Sequence, residues 1–177
     1  MTTQTIDPVA EPSAYQQLLL GELGDDDPAV VQAATPPELR WLVGEAAAAL
    51  RTRPADREWS VLELIGHIVD AEVVYSGRYR WILAHDEPSL IGYDQDRWVE
   101  RLGHNADEPE DLLRLFEALR EANLALWRRT PDPERARVGM HSERGPESYE
   151  LSFRLIAGHD RLHVSQMRRT LELVGDR

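Results

Sequence analysis

Residues 60 to 84 read SVLELIGHIVDAEVVYSGRYRWILA, and the fold turns on how this stretch is read. Ser60 is a good helix N-cap, and Glu63 three residues later completes a capping box. Apolar residues then recur in steps of three and four up to about Ala84, where Asp86 to Pro88 stops the pattern. One stripe holds Leu64, His67, Ala71, Val74, Arg78 and Trp81, the seam expected to face a core. A histidine stands in the middle of it.

The flanking chain repeats the pattern. Upstream, PPELRWLVGEAAAALRTR predicts a helix opened by Pro36 and Pro37 and closed by Pro54. Downstream, Asp107 is expected to cap a helix running through LLRLFEALREANLALWRR to Pro131, with Pro109 in its first turn and Glu110 at the capping-box position. A last helix is predicted over roughly Ser148 to Val174. A short one is expected from Ala14 to Leu20, ended by Gly21, Gly24 and the DDDP run. Residues 1–12 read as a flexible tail and residues 13–177 as one domain. Residues 85–106 and 131–147 read as long connections, and no strand pattern stands out. The prediction is an all-α protein, a four-helix bundle with long crossover connections.

The last helix poses a question of its own. Its inward stripe runs Ser152, Ile156, His159, His163, Gln166, Thr170 and Leu173, so its centre is polar. His159 and His163 stand one turn apart on one face, a spacing that suits a shared cation. His67 on the facing helix supplies a third nitrogen. Three neutral imidazoles suit a divalent ion such as zinc or nickel, and three protein ligands leave positions open for chemistry. Asp70 and Asp160 are the carboxylates placed to hold the rings. Arg78 on the seam reads as a bridge to Glu72 or Asp70, or as a ligand for an anionic substrate. His141, in GMHSERG, lies in a loop that can fold over a bundle end. His85 and His104 read as solvated, and the five tryptophans as packing anchors.

Composition narrows the chemistry. The 177 residues are enough for one cored domain, and 42% of them are apolar. A net charge of −12, with arginines interleaved among carboxylates, argues against nucleic acid and anionic membrane as partners. The opening MTTQTIDPVAEPSAY lacks the basic and apolar regions of a signal peptide, so a cytoplasmic location is expected. There is no cysteine and no lysine, which excludes thiolate nucleophiles, Schiff bases and a Walker-type phosphate loop.

The stretch EWSVLELIGHIVDAEVVYSGRYRWILAHDEPSL, followed by DQDRW, resembles the DinB-like (YfiT-like) superfamily of metal-dependent enzymes. GMHSERGPESYELSFRLIAGHDRLHVSQMRR, PPELRWLV and RTRPADREWS fit the same order of motifs, which covers nearly the whole chain after the first dozen residues. The resemblance implies a crossover four-helix bundle, often a homodimer, holding nickel or zinc on the residues that match here as His67, His159 and His163. It further implies a small-molecule substrate and a low-molecular-weight thiol cosubstrate such as bacillithiol or mycothiol, activated by the ion. A metal-dependent hydrolase and a non-catalytic metal- or ligand-binding dimer are the alternatives.

Overall fold

A computed structural model describes residue 6 and residues 10–175. The expected tail over 1–12 therefore falls mostly outside the described residues. Helix α1 (Pro12–Leu23) starts on a proline. Helix α2 (Pro28–Ala46) starts eight residues before the predicted Pro36, because the Asp27 side chain caps it by accepting from Ala29 N–H at 2.8 Å. Pro36 and Pro37 lie inside the helix. A proline lacks the N–H that would bond the carbonyl four residues back. At Pro36 that carbonyl is Gln32's, and it accepts instead from the buried Arg120 Nη1 at 3.0 Å. The helix also ends early: Ala47 takes φ 40°, and a short 3-10 turn leads to Leu50.

Helix α3 (Val61–Ala84) has the expected box, with Glu63 N–H donating to Ser60 Oγ at 3.2 Å and Ser60 N–H to Glu63 Oε2 at 2.9 Å. It is buried on nearly all sides, so the single predicted seam was too narrow a description. It is followed by β1 (Ser89–Leu90), α4 (Gln95–Leu102), α5 (Pro109–Arg129), α6 (Asp132–Arg135), β2 (Val138–His141), β3 (Gly145–Ser148) and α7 (Tyr149–Gly175).

The bundle consists of α2, α3, α5 and α7. Both α2 and α3 pack on α5 and α7, while α2 and α3 barely touch each other. Successive helices α2 and α3 thus sit diagonally, and so do α5 and α7, which is why the connections are long. Helix α1 lies along α7 at Gly158, where an added Cβ would stand 1.9 Å from the Leu19 carbonyl oxygen. No helix among the described residues is long and apolar enough to cross a membrane.

Two connections hold more structure than their composition announces. In 85–106, Asp94 caps α4 by accepting from Arg97 N–H at 2.9 Å, and Gly103 ends it in the left-handed conformation at φ 74°. In 131–147, β2 and β3 form a hairpin whose Gly145 has φ 75°, and β1 joins β2 in parallel. The small sheet lies against one end of the bundle. The tryptophans divide: Trp127 stacks on Phe153 at 4.0 Å, whereas Trp41 and Trp81 are about half exposed.

Two apolar clusters fill the bundle. One runs along α3 from Val61 to Val69 with Leu39, Leu42, Phe116 and Met167. The other takes Ala71 to Ile82 with Tyr149, Phe153 and Ile156.

Candidate metal centre

His67 projects from α3, and His159 and His163 from successive turns of α7; all three are buried. The Nε2 of His67 is 2.9 Å from that of His159 and 3.2 Å from that of His163. One ring nitrogen from each of the three falls within a 4.8 Å span. The Trp59 ring closes one side, 5.1 Å from the His67 ring.

Burial holds all three imidazoles neutral. The pKa values of His67 and His159 are driven well below 6.5, first by burial and then by their histidine neighbours. Burial takes His163 to about 4. A neutral ring has one N–H. Gln166 Oε1 lies 3.0 Å from His163 Nδ1 and accepts from it in the Nδ1–H tautomer, which leaves a lone pair on Nε2. The Nδ1 atoms of His67 and His159 have no partner among the described residues, and their Nε2 atoms face each other.

Such a cluster suits a cation. With metal–nitrogen bonds of about 2.0–2.1 Å, a tetrahedral site separates ligand nitrogens by about 3.3 Å. The observed Nε2 spacings need only small ring adjustments to reach it. An ion would replace strained imidazole–imidazole contacts with three lone-pair bonds.

The two carboxylates expected to hold the rings are engaged elsewhere. Asp70 Oδ2 bonds His104 Nε2 at 2.7 Å, and Asp107 Oδ2 bonds His104 Nδ1 at 2.8 Å. His104 is thus buried and paired rather than solvated, and the N-cap position of α5 is Glu108 rather than the expected Asp107. Gly66 makes room for it, since a Cβ there would stand 2.3 Å from the His104 ring. Hydrogen bonds to Asp70, opposed by burial and helped by Asp107, raise the His104 pKa to about 9. The folded state therefore holds a proton that the unfolded chain releases near 6.5, so His104 stabilises fully below that value and loses its contribution as pH rises through about 9. Urea unfolding followed between about pH 7 and pH 10 should show this loss, and His104→Gln should flatten the profile.

Asp160 is enclosed by Arg120 and Thr35, whose hydroxyl donates to Oδ2 at 2.8 Å. Arg120 also donates to Glu72 Oε2 at 2.9 Å, and Asn123 Nδ2 donates to Glu72 Oε1 at 2.7 Å. This buried network was not foreseen. Gln166, on the predicted inward stripe of α7, is the residue that does hold a ring.

A cavity of about 60 Å³ opens beside the histidines, lined by His159 with Tyr75, Arg78, Tyr93, His141 and Arg144 among others. Arg78 and His141 therefore come together next to His159, although Arg78 pairs with neither Glu72 nor Asp70. Its Nη2 donates to the Ile91 carbonyl at 2.7 Å and lies 3.1 Å from His141 Nε2.

Residues 33–167, well over half of the chain, match the family model for the DinB superfamily. The chain belongs to the DinB superfamily. Among individual proteins, it is 21% and 26% identical to two from Oceanobacillus iheyensis, each bearing the name "Putative metal-dependent hydrolase". Each match covers 62% of this chain and 63% of the relative, so the chain spans under two thirds of those proteins. YfiT from Bacillus subtilis, described as a probable metal-dependent hydrolase with an unusual four-helix bundle topology, superposes with a TM-score of 0.74. At 20% identity over 99% of this chain and 93% of YfiT, the likeness establishes the shared bundle fold.

Proposed function

We propose that this DinB-superfamily chain is a metal-dependent enzyme that holds one zinc or nickel ion on His67, His159 and His163 and transfers a low-molecular-weight thiol to a small electrophile. The observation that supports it is the convergence of three buried, neutral Nε2 atoms beside a polar cavity. A bound divalent ion would act there as a Lewis acid, lowering the pKa of a thiol or a water. His159 is the one ligand that lines the cavity, so substrates meet the centre from that side.

The choice of thiol over water rests on the carboxylates. Hydrolysis by water calls for a general base near the ion. Asp70 is tied to His104, Asp160 to Arg120 and Thr35, and Glu63 to Arg53 and the Ser60 N–H. Burial pushes the Tyr75 phenol up, away from a base's range, and His141 is a weak base with its pKa lowered to about 4. A thiol ionises near 8.5 unaided and needs less help. The chain has no cysteine, so the thiol comes from solution.

Hydrolysis is the second reading. The names of the relatives favour it, and Glu143, exposed on the cavity lining, is its candidate base. The deciding experiment loads the protein with zinc or nickel and presents small thiols with chlorodinitrobenzene, and separately a panel of esters. Metal-dependent conjugation, lost in His159→Ala, is expected. Ester hydrolysis lost in Glu143→Gln, with no conjugation, would replace thiol transfer by hydrolysis. Tight metal binding with neither reaction would reduce the protein to an ion-binding bundle.

A further inference from the structure

Arg78 is a buried cation without a counter-ion. It is 2% exposed, yet forms no ion pair with any carboxylate among the described residues. Its Nη2 donates to the Ile91 carbonyl and its guanidinium carbon stands 4.7 Å from the centre of the Tyr75 ring; His141 Nε2 lies 3.1 Å away, but that ring's Nδ1 already accepts from the Glu143 N–H, so in the neutral ring Nε2 carries the proton. The Arg78 Nε is buried with no partner among the described residues. The buried carboxylates around it are already bonded: Asp70 by His104, Glu72 by Arg120 and Asn123, Glu147 by Arg144 and the Ser152 hydroxyl; Glu143, on the same cavity lining, is exposed and forms no ion pair with Arg78. Arg120, equally buried in the same bundle, has two carboxylates. A guanidinium withdrawn from water without a negative partner forfeits its hydration for little return, and buried charges are ordinarily paired.

The place matters as much as the charge. Arg78 lines the cavity that His159 also lines. It lies eleven residues beyond His67 on α3, about 16 Å along the axis, and helical side chains lean back toward the N-terminus, here toward the histidines. Burial, Arg144 and Arg78 keep His141 neutral, so it does not add to the charge. Arg144 is balanced by Glu147, and Glu143 is exposed on the same lining, so Arg78 is the buried charge of this cavity that lacks a direct carboxylate partner among the described residues. A carboxylate brought into the cavity would give Arg78 that partner, and the cavity, at about 60 Å³, has room for a small group only.

We propose that this cavity binds a carboxylate of the substrate or cosubstrate, with Arg78 as its counter-ion, and so orients the rest of that molecule toward the three histidines. The proposal deepens the functional reading above and rests on it for what the carboxylate-bearing molecule is delivered to.

The test uses mercaptopropionate, mercaptohexanoate and mercaptooctanoate, each against its neutral amide, titrated calorimetrically into zinc-loaded and zinc-stripped protein. Wild type should bind one of the acids at least tenfold more tightly than its amide, as a charge-assisted bond implies. Arg78→Gln should erase that preference and leave amide affinity within about twofold. Where Arg78→Gln does not fold, Arg78→Lys keeps the charge but loses the planar fork, and the acid preference should then fall by about threefold or more. Equal affinity for acid and amide at every length, or a preference unchanged in either variant, overturns the assignment. Zinc content of the same samples separates the two readings. Zinc retained with no acid preference removes the carboxylate site alone. Acid preference without retained zinc keeps the carboxylate site and removes the metal reading.

Discussion

Replacing Arg120 with alanine should destabilise the protein by about 3–5 kcal/mol, a large share of the roughly 5–15 kcal/mol that keeps a domain folded. The guanidinium is 1% exposed and reaches every other helix of the bundle: Glu72 on α3, Asp160 on α7 and the Gln32 carbonyl on α2. Removing it strands two buried carboxylates and reopens the carbonyl that Pro36 leaves without a helical donor. Burial already raises the Asp160 pKa against the pull of Arg120, so without the arginine this group takes up a proton more readily. The variant should therefore recover stability as pH falls, opposite to ordinary acid denaturation. Chemical denaturation followed by circular dichroism at several pH values measures both effects. Adding Glu72→Gln and Asp160→Asn to Arg120→Met should restore much of the loss, because none of the three positions then carries a buried charge. A cost below about 1 kcal/mol for Arg120→Ala would mean that the guanidinium is not what ties the helices together.

The fold was legible where local signals agreed with tertiary packing. The Ser60–Glu63 box, the apolar periodicity and the proline breakers placed the four long helices, and the two histidine positions on α7 together with His67 on α3 marked the cluster. Pairings across the bundle were not legible. Glu72 and Arg78 are near in sequence, and a helical walk links them, yet the partner of Glu72 is Arg120, forty-eight residues away. Pro36 read as a helix start because proline favours first turns, whereas the Asp27 cap had already opened the helix and Arg120 satisfied the freed carbonyl. The three-stranded sheet escaped notice because its strands are two to four residues long, too short for an alternation to declare itself. His104 looked solvated because its neighbours are polar. Those same neighbours, Asp107 and the more distant Asp70, are what bury it. Gln166 stood on the inward stripe of α7, and only the ring orientation of His163 reveals its part.

Zinc should raise the thermal midpoint of the wild-type protein strongly and leave that of His67→Gln nearly unmoved. An ion that binds only the folded state adds about 4 kcal/mol at a thousandfold excess over its dissociation constant. For a chain of this size that amounts to about 8–16 °C. The gain comes from a cluster that is poorly satisfied alone, with three buried rings sharing too few protons and two Nδ1 atoms unpartnered among the described residues. Gln166→Leu removes the bond that fixes the tautomer of His163 and should weaken zinc about 10–100-fold, leaving a smaller but measurable shift. The pH dependence carries a separate signature. The folded pKa values of the three histidines lie below 6.5, with His163 at about 4, so the unfolded chain binds more protons between those values. Metal-free protein should therefore lose stability as pH falls below about 6.5. Zinc affinity should hold through that range, since the rings stay neutral while the chain is folded, and fall only on approach to about 4. Scanning calorimetry with and without zinc at a series of pH values reads both quantities. An equal zinc shift in wild type and His67→Gln would place the ion elsewhere on the protein, and the three histidines would then be a buried polar layer rather than a metal centre.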